Sequence, residues 1–339
     1  MNRRLEYFDF ARFLAICGVI MIHTSEYSDT GFLLSKTIAQ LGRFGVQLFF
    51  VISGATIFLS FSRDFNVGKF YTKRFFRIYP LFLVMGLIYS YKMNISLWTT
   101  LSPANAFNPA NLNLIKGGWS IWNEMYFYLF VPIYFYIRNN NLKIIFFSLL
   151  ILIVSSSINL RLVSLHGDPE NILDFDYLNM FTQLSCFICG MEMMAGKFKK
   201  ALYFCIPQFS ISLLIKLYFY PNYLFFADYG ANYWVVLIAI VAVLLLTSLK
   251  YIYGSYKITH FFILRLCQRL GKLTYTAYMI HFFVIEYLLY ILQFDFGLEL
   301  NFLIVTGTTF LISFLIHPYT ETLPNSIAIR IVRWKNMPE

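Results

Sequence analysis

Charge is what this chain has least of. Asp, Glu, Lys and Arg make up 13% of its 339 residues, where a soluble domain carries about 25%. An aqueous globular protein is excluded on that ground. Disorder, collagen and coiled coil fall with it, because so large an apolar excess must be buried somewhere. Cysteine is scarce too. Cys17, Cys186, Cys189, Cys205 and Cys267 sit in or beside apolar stretches, without the spacing or loop setting of a disulfide framework. Cys186 and Cys189 form a C-x-x-C inside the apolar run 184–194, where it reads as helix packing. No His, Cys, Asp and Glu set has ligand spacing on one helix, so no metal is expected. There is no internal repeat, no inverted pair of broken helices, and no loop long enough for a soluble domain.

What is there is apolar: 59% hydrophobic residues, 20% aromatic, and a mean hydropathy of +0.63. The medium such side chains need is a bilayer. A net charge of +10 would point to nucleic acid in a soluble protein. Here the basic residues of cytoplasmic loops account for it, so the expected partner is membrane lipid and not nucleic acid. A span takes about 20 mostly apolar residues, since only a helix satisfies its own backbone in hydrocarbon. Ten segments qualify, at roughly 8–27, 41–61, 75–92, 119–137, 143–160, 178–195, 201–220, 232–249, 273–292 and 301–320. The sixth and seventh are interrupted by Gly190, Gly196 and Pro207. The first is not read as a cleaved signal peptide, because Arg12 breaks its apolar core and no small-x-small site follows.

Ten crossings put both termini on one side, which collects twenty of the Lys and Arg residues against four on the other. That asymmetry places both termini in the cytoplasm. The outside loops include an Asn-rich stretch (Asn94, Asn105, Asn108, Asn111, Asn113, with Pro103 and Pro109) and the acidic Asp168, Glu170, Asp174 and Asp176. The expected fold is an all-α integral membrane protein, a bundle of about ten transmembrane helices forming a single domain over 1–339, with no separate soluble domain.

An ionisable side chain at membrane depth costs on the order of 2.5–3.5 kcal/mol and is a functional candidate by default. The apolar segments hold Asp9, Arg12, His23, Arg43, Glu124, His281, Glu286 and His317. Arg12 and His23, eleven residues apart, share a helix face, roughly 16 Å apart along the axis. His23 lies roughly 22 Å in from the cytoplasmic boundary, and Glu124, entering from outside, about 8 Å below the outer one. The two come out at nearly the same depth of a core about 30 Å thick. An imidazole level with a carboxylate there has the makings of an acid–base pair. Whether the helices touch is open at this stage, and a membrane His also serves as an interhelical hydrogen bonder. On the cytoplasmic side, Arg74 and Arg77 share a face of a segment taken to start near 75. Two guanidinium groups beside the unpaired N–H groups of a helix N-terminus are a natural seat for a phosphorylated ligand. Such residues are also ordinary in a cytoplasmic loop.

These residues fall into motifs. Asp9-Phe10-Ala11-Arg12 followed by His23, Gly45-Val46-Gln47-Leu48-Phe49-Phe50-Val51-Ile52-Ser53-Gly54, and Arg74-Phe75-Phe76-Arg77-Ile78-Tyr79-Pro80 come in that order. Trp119-Ser120-Ile121-Trp122-Asn123-Glu124 and Thr274-Tyr275-Thr276-Ala277-Tyr278-Met279-Ile280-His281 complete the set. Together they resemble the motifs of the acyltransferase-3 membrane proteins, which O-acylate surface polysaccharides and other carbohydrates. Thr274, Ala11 and the pair Trp122-Asn123 depart mildly from the pattern, which bears on the acceptor more than on the reaction. The soluble C-terminal domain of some members has no counterpart.

The resemblance implies an O-acetyltransferase of the bacterial inner membrane. Acetyl-CoA would bind from the cytoplasm with its phosphates near Arg74, Arg77 and Arg12, and His281 would line the donor channel or bond a neighbouring helix. His23 would act as general base or acyl carrier, with Glu124 orienting it or stabilising its charged form. The acceptor would be a surface polysaccharide or a lipid-linked oligosaccharide, with Asp9, Arg43, Ser53, Trp119, Trp122 and Tyr126 on its side. Those aromatic rings also fit an ordinary interfacial belt, and Ser53-Gly54 fits close helix packing. A transporter or flippase of lipid-linked sugars would explain the buried charges equally well, but would leave the sugar covalently unchanged.

Overall fold

The computed structural model describes residues 6–28, 30–107, 114–166, 178, 180–219, 232–255, 262–293 and 295–334. Asn108, Pro109, Asn111, Asn113, Asp168, Glu170, Asp174 and Asp176 lie outside them. Among the described residues all regular structure is helical. The longer helices are α1 (Glu6–Ser25), α2 (Leu33–Gly42), α3 (Gly45–Arg63), α4 (Val67–Met93), α5 (Gly118–Ile137), α6 (Asn141–His166) and α7 (Met180–Met194). There follow α8 (Phe198–Phe219), α9 (Asn232–Ser255), α10 (Phe262–Gly271), α11 (Thr274–Ile285), α12 (Leu298–His317) and α13 (Leu323–Trp334). Each apolar segment read from the sequence falls largely within helical structure. Among the described residues four stretches, Glu6–Ser25, Leu33–Arg63, Tyr233–Gly254 and Leu298–Val332, are long and apolar enough to cross a membrane.

Three boundaries differ from expectation. The second segment is divided, with Arg43 in a turn between α2 and α3. The cause is close backbone approach: a Cβ on Gly42 would overlap the Gly18 carbonyl, and one on Gly45 the Ala15 carbonyl. The third segment begins early. Helix α4 starts at Val67 and continues through Pro80 to Met93, because an apolar helix tolerates one missing N–H. The ninth and tenth segments run on through single π-helical turns, Glu286–Ile291 and Pro318–Thr322.

The chain divides into two compact units. Residues 1–49, 68–97 and 245–339 form the first, and 50–67 and 98–244 the second. In lipid the association of helices cannot rest on hydrophobic burial, since the tails are as apolar as leucine; packing and interhelical hydrogen bonds carry it. The first unit is built on α1, which packs against α2, α10, α11 and α12. Its buried stripe Phe8, Ala11, Ala15, Val19 and Ile22 follows helical periodicity. Helix α10 was not anticipated, because Arg265 and Arg269 interrupt its apolar residues. It closes on α1 where Gly271 meets the Asp9 carbonyl.

In the second unit α7 packs against α5, α6 and α8. The backbones of α3 and α7 approach so closely that a Cβ on Gly54 would overlap the Phe187 carbonyl and one on Gly190 the Val51 carbonyl. Phe187 stacks on Phe50 and Phe127, with ring centroids 4.6 and 3.9 Å away. Where α5 ends, Arg138 grips the buried Glu192 of α7 through two hydrogen bonds of 2.8 and 2.9 Å. Apolar side chains such as Leu303, Leu311 and Phe314 on α12, and Val241 and Leu244 on α9, remain exposed. Whole exposed apolar faces of this kind belong against lipid.

Candidate active site

His23 occupies the last turn of α1. Its Nδ1 lies 3.2 Å from Oε2 of Glu26, one helical turn on. The ring packs against Phe282 of α11, centroids 4.4 Å apart, and beside His281 at 5.6 Å. His281 is fully buried. Its Nδ1 donates to the Tyr278 carbonyl at 2.5 Å, which leaves Nε2 as a buried nitrogen without a hydrogen-bond partner among the described residues. A carbonyl only accepts, so Nδ1 carries the proton and Nε2 is an acceptor. Two imidazoles, one partly exposed and one sealed, therefore share a corner of the first unit.

The same unit holds other predicted residues. Asp9 and Arg12 pair with each other on α1 at 2.7 Å. Arg74 is buried, its guanidinium 5.4 Å over the Phe70 ring, and Arg77 is half-buried one turn on. Both stand well inside α4, so the expected helix N-terminus beside them is absent; it lies at Val67. Arg43 donates to Gln40 in its turn. Two carboxylates support α11, Glu321 buried and Glu286 partly so. Glu286 pairs with Lys92 of α4, and Glu321 accepts from the backbone N–H and the hydroxyl of Thr276 near the helix start.

Glu124 belongs to the second unit. Oε1 accepts the Ser53 hydroxyl of α3 at 2.5 Å and the Tyr128 hydroxyl, one turn on in α5, at 2.6 Å. Asn123 beside it donates to the Leu178 carbonyl, holding the start of α5. Trp119 and Trp122 are buried within this unit, Trp119 edge-on to Phe50 at 6.0 Å. Neither ring lies at an exposed belt. Tyr126 donates to the Pro103 carbonyl and packs on Phe107.

Sequence reasoning passed over Glu26 and Tyr128. Both stand one helical turn from a residue already singled out, the spacing at which side chains on a helix meet.

A family model for an acyltransferase domain, that of the acyltransferase-3 proteins, matches residues 5–317. The chain belongs to the acyltransferase-3 family. No curated protein and no solved structure matches it. As an acyltransferase-3 protein the chain handles an acyl donor and an acyl acceptor at helices suited to a membrane. The matched span takes in all five motifs, from Asp9 to His281. It ends before Glu321. Among the described residues no three His, Cys, Asp or Glu side chains converge as a metal-holding set.

Proposed function

We propose that this protein is a transmembrane O-acetyltransferase. It takes the acetyl group of cytoplasmic acetyl-CoA and places it on a hydroxyl of an outward-facing glycan, an O-antigen, capsule or exopolysaccharide, at the bacterial inner membrane. In this reading about ten helices cross the bilayer as one domain and both termini are cytoplasmic. The observation that carries it is His23, an imidazole with a carboxylate on Nδ1, in a membrane-length helix of an acyltransferase-3 chain.

The chemistry is acyl transfer by general base catalysis. His23 Nε2 takes the proton of the acceptor hydroxyl, and the oxygen forms its bond to the thioester carbonyl carbon. The C–S bond then breaks, and the proton passes from His23 to the departing sulfur of coenzyme A. Glu124 is the second proposed catalytic group, its carboxylate held by Ser53 and Tyr128. Arg74 and Arg77, with Arg12, meet the donor phosphates.

A deletion strain complemented with wild type, His23→Ala or Glu124→Ala tests this by mass spectrometry of its surface polysaccharide. Wild type is expected to restore one acetyl group per modified unit. Both variants are expected to insert into the membrane and restore none. Full acetylation by either variant removes that residue from the chemistry. An unacetylated glycan that fails to reach the surface in the deletion strain would replace transfer with transport.

A further inference from the structure

We propose that Glu26 is the positioning residue for His23: its carboxylate accepts the Nδ1–H and so keeps Nε2 as the basic nitrogen. This rests on the reading of His23 as the general base. A neutral imidazole has one N–H and one lone pair, and whichever nitrogen bonds an acceptor becomes the donor. Glu26 Oε2 stands 3.2 Å from Nδ1. A carboxylate is an acceptor only, so the proton belongs on Nδ1 and the lone pair on Nε2.

Among the described residues Glu26 is the hydrogen-bond partner that the His23 side chain has. His281, the other polar ring beside it, has its own proton committed to the Tyr278 carbonyl. Phe282 covers the His23 ring without a polar atom. The ring of His23 is thus held from one side by packing and set in tautomer by Glu26. Bases that act on a hydroxyl are generally oriented in this way by a third group.

Glu26 is half exposed, and an exposed pair contributes only about 0–1 kcal/mol to a fold. Removing its side chain therefore leaves the helix standing and changes how often His23 presents Nε2. The consequence belongs in kcat, because neither donor nor acceptor needs to touch Glu26.

The test measures acetyl transfer by the purified full chain, as wild type, Glu26→Ala, Glu26→Gln and His23→Ala. Gln retains a carbonyl that accepts the same N–H, so it rescues orientation without the charge. Glu26→Ala is expected to lower kcat at least tenfold with both KM values within twofold, and Glu26→Gln to stay within threefold of wild type. Glu26→Ala with kcat within twofold of wild type would overturn the inference, as would Glu26→Gln as slow as Glu26→Ala. An active His23→Ala would instead bring down the reading of His23 itself, an outcome separable from either of these.

Discussion

Tyr128 donates its phenolic hydrogen to Oε1 of Glu124 at 2.6 Å, the same oxygen that takes the Ser53 hydroxyl at 2.5 Å. Both lengths fall in the range of O–H···O⁻ bonds. Two donors on one carboxylate oxygen fix the rotation of the group. They leave Oε2 without a hydrogen bond among the described residues. Neither Ser53 nor Tyr128 has to meet the substrate to matter.

Removing these donors should therefore slow transfer without abolishing it. A hydrogen bond to a charged group is worth about 1.5–3 kcal/mol, and about 1.4 kcal/mol is tenfold in rate. Tyr128→Phe and Ser53→Ala should each lower kcat/KM about ten- to hundredfold, and the double variant should approach Glu124→Ala. Turnover assays on purified protein check this. Wild-type rates in both single variants would detach the two hydroxyls from the chemistry.

Arg74 and Arg77 lie one turn apart on α4, Arg74 buried against Phe70. If they hold the donor's phosphates, their loss weakens ground state and transition state alike, which raises KM and spares kcat. The double variant Arg74→Ala/Arg77→Ala should raise the KM for acetyl-CoA tenfold or more at nearly unchanged kcat. An unaltered donor KM would remove both residues from donor binding.

The Arg138–Glu192 pair makes a prediction about stability. Glu192 is fully buried and both its oxygens are bonded by the one guanidinium. Removing one partner of such a pair costs about 3–5 kcal/mol, because the other charge is left buried alone, whereas removing both is far milder. Thermal denaturation in detergent should show a marked fall in Tm for Glu192→Ala and substantial recovery in Arg138→Met/Glu192→Met. Equal Tm values for Glu192→Ala and wild type would contradict a structural role.

The helices were legible in the sequence because apolar runs of span length have few alternatives in lipid. The exceptions are physical. The turn at Arg43 depends on backbone contact between Gly18 and Gly42, twenty-four residues apart, which no local pattern reports. Helix α10 was lost because its charges dilute its hydropathy. The motif residues were legible as a set, and their partners only in part. Glu26 and Tyr128 are helical neighbours of His23 and Glu124 and were within reach of spacing arguments. Ser53 reaches Glu124 across 71 positions, and the packing of His281 beside His23 spans most of the chain; tertiary structure alone brings them together. Burial of Trp119 and Trp122 was likewise invisible, since a tryptophan near a membrane boundary reads the same whether it faces the headgroups or the core.

Gly54 and Gly190 provide the last test, because they set how closely α3 and α7 approach. A methyl group at either position would overlap a backbone carbonyl, Phe187 or Val51, and a backbone cannot swing aside as a side chain does. Overpacking of this kind costs about 1–3 kcal/mol. Gly307, in the middle of α12, is the contrast: a Cβ there meets nothing within 4 Å, and Ala is the better helix former by about 1 kcal/mol. Gly54→Ala and Gly190→Ala should lower Tm, while Gly307→Ala should leave it unchanged or raise it. Because Ser53 precedes Gly54 on α3 and donates to Glu124, Gly54→Ala should also reduce turnover at temperatures where the protein remains folded. A variant that loses stability and keeps full kcat would show that the α3–α7 contact holds the unit together without setting the Ser53–Glu124 distance.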